Sequence, residues 1–130
     1  MVTYAVTDVV NPTEQHVIRQ VHGAFARLVP VKPLVILTEV DALITTSDMA
    51  GTVPGVVGMV QADIEPTQGL HVVLSGETMA LQGVSESYDG WAGLLWFFAP
   101  HTDIRVDFVA ASIAGSPVTL YLLPQFHVYL

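Results

Sequence analysis

Cysteine is absent from the 130 residues, which excludes disulfides, thiolate metal sites and a cysteine nucleophile and leaves stability to packing and hydrogen bonding. Charge is nearly as scarce: Asp, Glu, Lys and Arg make up 12% of the chain, against about 25% in an ordinary soluble domain. Lysine occurs once, as Lys32 between Val31 and Pro33, so the sequence has no phosphate-binding loop of the glycine-rich, Lys-terminated kind. Hydrophobic residues reach 52%. A small domain has much surface per residue, so this composition predicts neutral or apolar patches outside, and such patches usually meet a partner.

The few charges are segregated. Residues 1–32 carry Asp8 and Glu14 against Arg19, Arg27 and Lys32, while the other ten acids share the remaining chain with Arg105, for a net charge of −8. Such an acidic chain repels phosphate backbones and anionic membrane surfaces. The expected partners are protein subunits, through self-association or with other structural proteins, with no direct nucleic acid and no membrane. Met1–Val10 has neither the basic region nor the unbroken apolar stretch of a signal peptide. Phe108–Leu130 is uncharged and long enough to cross a bilayer, but Gly115, Ser116, Pro117, Pro124, Gln125 and His127 divide it into strand-sized pieces, so no transmembrane helix is expected.

One helix is expected, at about residues 12–28, where Val17, Ile18, Val21, Ala24, Phe25 and Leu28 recur with a 3.6-residue period. Asn11 would cap it, Pro12 suits its first position, Glu14 could reach back to the cap, and Pro30 would end it. Phe25 would then be buried against a β layer.

After Pro33 the chain turns to short Val-, Ile-, Leu-, Thr- and aromatic-rich segments divided by Gly, Pro and Asp. Strands are expected at Leu34–Val40, Ala42–Thr46, Gly55–Asp63, Leu70–Ser75, Thr78–Val84, Gly93–Phe98, Asp103–Ile113 and Val118–Leu130, with Met1–Val10 as an added edge. Ile104, Val106 and Phe108 alternate with Arg105 and Asp107, and Phe126, Val128 and Leu130 with Gln125, His127 and Tyr129, so these strands have one apolar face. Leu34–Leu37 and Gly93–Phe98 are continuous apolar runs that suit central strands covered on both sides. The fold class expected is mainly β, a β-sandwich or jelly-roll-like barrel with one N-terminal amphipathic helix, in a single domain over 1–130.

Chemistry is thin. His16 and His22 are six apart, unlike a helical zinc pair, and His101 with Asp103 is the strongest local His-carboxylate pair, with solvated turn residues as its plain reading. Ser75 and Ser85 lie in turn-like contexts without the Gly-x-Ser-x-Gly elbow. Neither catalytic residues, nor metal ligands, nor a cofactor is expected.

The reading that follows is a non-enzymatic structural protein assembling into a homo-oligomer or lattice, in particular a small virus or phage virion component such as a capsid, decoration or tail protein. Its expected interaction residues are Arg19, Arg27 and Lys32, which would face the acidic remainder of a neighbouring subunit, the loop residues Tyr88 and Trp91, and His127, Tyr129 and Leu130 on the last strand. The alternatives are a small β-barrel ligand-binding protein or enzyme using His71, His101 or Glu77, and a carbohydrate- or peptide-binding module built on Tyr88 and Trp91.

Overall fold

The computed structural model describes residues 2–10, 16–49, 51–83 and 86–129. They form eight strands: β1 (Val2–Val10), β2 (His16–Val31), β3 (Leu34–Ser47), β4 (Gly51–Thr67), β5 (Leu70–Leu81), β6 (Ser87–Ala99), β7 (Thr102–Ile113) and β8 (Thr119–Val128). Each strand pairs antiparallel with its sequence neighbour, giving one sheet in the order β1 to β8. β1 and β8 are its two edges and are not paired with each other.

The mainly β expectation holds, but the two-layer arrangement of a sandwich or jelly roll is replaced by a single meander. Neighbouring expected strands fuse: Leu34–Val40 with Ala42–Thr46 into β3, and Leu70–Ser75 with the start of the next segment into β5. The polar residues that seemed to divide them, Asp41 and Gly76, are simply positions within long strands.

The expected helix is a second correction. Residues 16–31 are strand β2, hydrogen-bonded to β1 on one side and β3 on the other. The apparent helical stripe is two strand stripes interleaved: Val17, Val21 and Phe25 share one face of the sheet, and Ile18, Ala24 and Leu28 the other. Phe25 is exposed rather than buried. The capping residues Asn11, Pro12 and Glu14 lie outside the described residues.

Three connections at one end of the sheet are two-residue turns, Lys32–Pro33, Gln68–Gly69 and Pro100–His101. A register shift precedes each, between Leu28 and Val31, Ile64 and Thr67, and Trp96 and Ala99, so an irregularity recurs in three hairpins, although the turns differ: Lys32–Pro33 is a cis peptide, whereas the other two have a positive φ at their second residue. Gly69 supplies the positive φ its turn needs, and the Glu65 carboxylate accepts its N–H. His101 takes the equivalent position with φ of 58°.

Register sorts the side chains. From β2 to β8 every paired Asp, Glu, Lys or Arg falls on one face: Arg19, Arg27, Glu39, Asp41, Asp63, Glu77, Asp89, Asp103, Arg105 and Asp107. The opposite face carries none over the same strands; β1 adds one register position of the other kind, Asp8 opposite Ile18. The uncharged face is the open one, because along β4, β6 and β7 its residues are mainly exposed while those of the charged face are mainly half-buried or buried. Among the described residues no hydrophobic side chain is fully buried. This sheet has no core of its own.

A strand at residues 16–31 also makes a prediction that a helix would reverse. Ala26 sits opposite Thr38. Ala26→Thr should be neutral or stabilising by roughly 0.2–1 kcal/mol through a cross-strand Thr pair, whereas in a helix the same change costs a few tenths of a kcal/mol. Denaturant midpoints of parent and variant in the same medium give the sign.

Candidate functional site

The enclosed face gathers its polar groups toward the tight-turn end of β4 to β8. Asp103, on β7, is 0% exposed, covered by neighbouring side chains. Its Oδ1 lies 2.9 Å from His127 Nδ1 on β8, and its Oδ2 accepts the Tyr129 hydroxyl at 2.5 Å. Tyr129 is held again through its backbone N–H, which donates to the His101 carbonyl at 2.8 Å. The bond from Tyr129 is the main reason the Asp103 carboxyl is held below the usual carboxylate range; burial opposes it, and His127 and Arg105 reinforce it. The same bond, with burial and the Asp103 charge, pushes the Tyr129 phenol up.

Asp107, two residues on, is 5% exposed and pairs with Arg105, whose Nε donates to Oδ2 at 2.6 Å, with Gln125 Nε2 at 3.5 Å. Its Oδ1 is buried without a partner. Gly93 makes room for it: the two residues are directly opposite, and a Cβ on Gly93 would collide with Oδ1. On the same face, Asp63 Oδ1 lies 3.0 Å from His71 Nδ1 across β4 and β5, and His71 meets Phe97 edge-on.

The residues weighed for acid–base chemistry do not converge. His71 shares its face with Ser75 and Glu77 but lies about 13 Å and 20 Å from them along β5, and the Ser75 hydroxyl donates to the Val60 carbonyl. His101 sits in a turn, while both oxygens of Asp103 are engaged by other residues. Among the described residues no group of three or more His, Asp or Glu is placed to hold a metal.

The expected interaction residues scatter, with one exception. Arg19 and Arg27 share the charged face on β2, both exposed and about 26 Å apart along the strand, and Lys32 lies in a turn. Tyr88 and Trp91 are on opposite faces of β6, so they do not form one platform. His127 and Tyr129 do converge, on Asp103. Leu130 lies outside the described residues. Asp103 was visible in the sequence through its spacing from His101, but its real partners are 24 and 26 positions away and depend on register. Gly93 and Asp107 carried no sequence signal as a pair.

Two outcomes test this geometry. Gly93→Ala should destabilise by about 1–3 kcal/mol through overpacking, and Asp107→Ala in the same chain should relieve most of that loss, read from unfolding midpoints of the single and double variants. Because the Asp103 pKa is lowered on folding, its stabilisation is present above the unfolded value near 3.9 and is lost as pH falls through the folded one. Tyr129→Phe should raise the Asp103 titration midpoint, followed by carbon-13 NMR of the carboxyl; an unmoved midpoint would dissociate the two groups.

Comparison with protein-family models, with curated proteins and with solved structures finds no match, so function has to be read from the chain's own geometry.

Proposed function

We propose that this chain forms the wall of a transmembrane β-barrel, its uncharged face against lipid and its charged face lining a polar interior. One observation carries the reading: the face without charge is the open face, and the charges lie on the enclosed one. A water-soluble sheet arranges its faces the other way round, whereas barrels in membranes alternate apolar-out and polar-in.

Strand length agrees. β2 to β8 run from 10 to 17 residues; strands in globular proteins average about 5–6, while a tilted strand needs about 9–11 to cross a bilayer. Aromatic residues border the open face. Trp96, Phe98 and Phe126 cluster at the tight-turn end, with ring centroids 5.6 Å and 6.4 Å apart. Tyr88 stands at the other end of β6, its hydroxyl donating to Glu86, with only Gly90, Ala92 and Leu94 between it and Trp96 on that face. Tyr88 and Trp96 are about 26 Å apart along the strand, or about 20 Å along the membrane normal at a tilt near 40°, close to the apolar band of about 25 Å in such barrels. Trp and Tyr favour the two membrane–water interfaces.

The expectation of no membrane partner rested on helical spans and on anionic surfaces, and neither consideration reaches a strand whose charges face inward. The rival cover for the open face is protein, as in the homo-oligomer, lattice or virion component expected from composition. It accounts for the missing charge but supplies no reason for the strand lengths or the aromatic borders.

Two experiments separate lipid from protein. The chain has two tryptophans, Trp96 on the open face and Trp91 on the enclosed one. In vesicles containing brominated lipid, Trp91→Phe should leave a strongly quenched emission from Trp96, and Trp96→Phe a weakly quenched one from Trp91. Equal quenching, or discrete lipid-free assemblies as the only folded form, would favour the protein cover. Leu74 is 55% exposed on the open face. Leu74→Arg should cost about 2–4 kcal/mol near the bilayer midplane but within about 0.5 kcal/mol on a water-facing surface, with Val73→Arg on the enclosed face as the internal control.

A further inference from the structure

We propose that the barrel is completed by a second copy of this chain, the β8 edge of each copy pairing with the β1 edge of the other to enclose a shared, water-filled interior of sixteen strands. This rests on the lipid reading above. Lipid cannot hydrogen-bond a free strand edge, so sheets that span a bilayer are closed. Here both edges, β1 and β8, are unpaired.

The enclosed face decides how the edges close. Were β1 and β8 of one chain to pair, the interior would be that of an eight-stranded barrel, which side chains fill. Glu77 and Asp89 lie directly opposite each other, and Glu39 shares their row across β4. None of the three has an ion-pair or hydrogen-bond partner among the described residues. Unpaired carboxylates in a filled, dry interior are strongly disfavoured, so this face needs water, and barrels of sixteen strands or more are the ones that hold an aqueous channel.

The edges suit each other. With an even number of strands in a meander, β1 and β8 run in opposite directions, so a two-fold rotation about the barrel axis joins β8 to the second copy's β1 antiparallel, with both copies in the same membrane orientation. Arg19 and Arg27 belong to β2, beside one edge, and β7, beside the other, carries Asp103, Arg105 and Asp107, a net charge of one acid; the two carboxylates are engaged within their own sheet, so the seam rests on backbone pairing with a small electrostatic bias in its favour. Pro124 sets a limit. The Tyr129 N–H donates to β7, and alternation along β8 then turns the Pro124 nitrogen to the outer edge, so the seam lacks one hydrogen bond there.

The absence of native cysteine makes the test clean. Cysteine pairs would combine Ala5→Cys or Thr7→Cys on β1 with Tyr121→Cys or Leu123→Cys on β8, and facing strands bring such residues within disulfide reach, about 4.4–6.8 Å between Cα atoms. The full chain is reconstituted in phosphatidylcholine vesicles, oxidised and run on a non-reducing denaturing gel. At least one pair should give a covalent dimer in high yield, and the parent in detergent should have the protein mass of two copies. Disulfide-closed monomers would overturn the proposal in favour of eight-stranded closure, and no disulfide at any pair would overturn it as well. Quenching of Trp96 in the same vesicles keeps the readings apart: quenched emission without dimers rejects only the shared interior, and unquenched emission rejects the lipid reading itself.

Discussion

Backbone pairing is the interaction on which everything else in this chain depends. Among the described residues no hydrophobic side chain is fully buried, so no packed interior fixes the arrangement, and the eight-strand ladder alone determines which side chains are neighbours. A strand has a period of two, and one slipped residue would move every side chain to the opposite face. Register therefore performs the sorting that a core performs elsewhere. It puts the charged residues of β2 to β8 together and leaves the other face without any. Large side chains such as Leu74, Trp96 and Phe108 keep about half of their surface exposed on the isolated sheet, and covering that remainder would be favourable.

How much of this the sequence disclosed depended on the length scale involved. Alternation within Ile104–Phe108 and near the last strand was readable because it is local, as were the breaks at Pro33 and Pro100, whereas Gly76 and Gly90, which read as turns, lie within β5 and β6. The segment at residues 16–31 misled because β-branched residues on both faces of a strand, Val17 beside Ile18 for instance, reproduce the i, i+3, i+4 spacing of a helix, and only the flanking strands decide between them. Apolar runs such as Gly93–Phe98 suggested layers on both sides. In fact Leu94 and Trp96 belong to the open face, while Gly93 and Leu95 belong to the enclosed one. A strand that alternates between two different surroundings carries a weaker signature than a helical span.

The candidate site was legible only in fragments, for the same reason. Asp103 stood out beside His101, but its carboxylate is held by His127 and Tyr129 from the next strand, and the pairing of β7 with β8 is what brings them together. Gly93 and Asp107 are an extreme case. An aspartate can lie flat over the sheet there because the residue opposite has no side chain, and neither residue announces this to a reader of the chain. The polar network ties the last strand to its neighbour at the end where the turns are tightest, and it leaves the middle of the enclosed face to residues with no such engagement.

Those residues constrain what the interior contains. Side chains directly opposite in an antiparallel pair have Cβ atoms about 5 Å apart, the relation of Glu77 to Asp89. Two like charges at that distance repel by about 1 kcal/mol in water but by about 3 kcal/mol at an effective dielectric constant near 20. The smaller figure is tolerable in a sheet held by so many backbone bonds. The larger one, with Glu39 in the same row and no nearby cation engaged, would oppose formation of the strand pair that creates it. The register observed between β5 and β6 thus presupposes a solvated enclosed face. The two faces are therefore linked through one ladder: the pairing that removes charge from the open face concentrates it on the other, where water keeps the repulsion small, and under the proposed reading the same ladder sets a lipid-facing surface against a wet one.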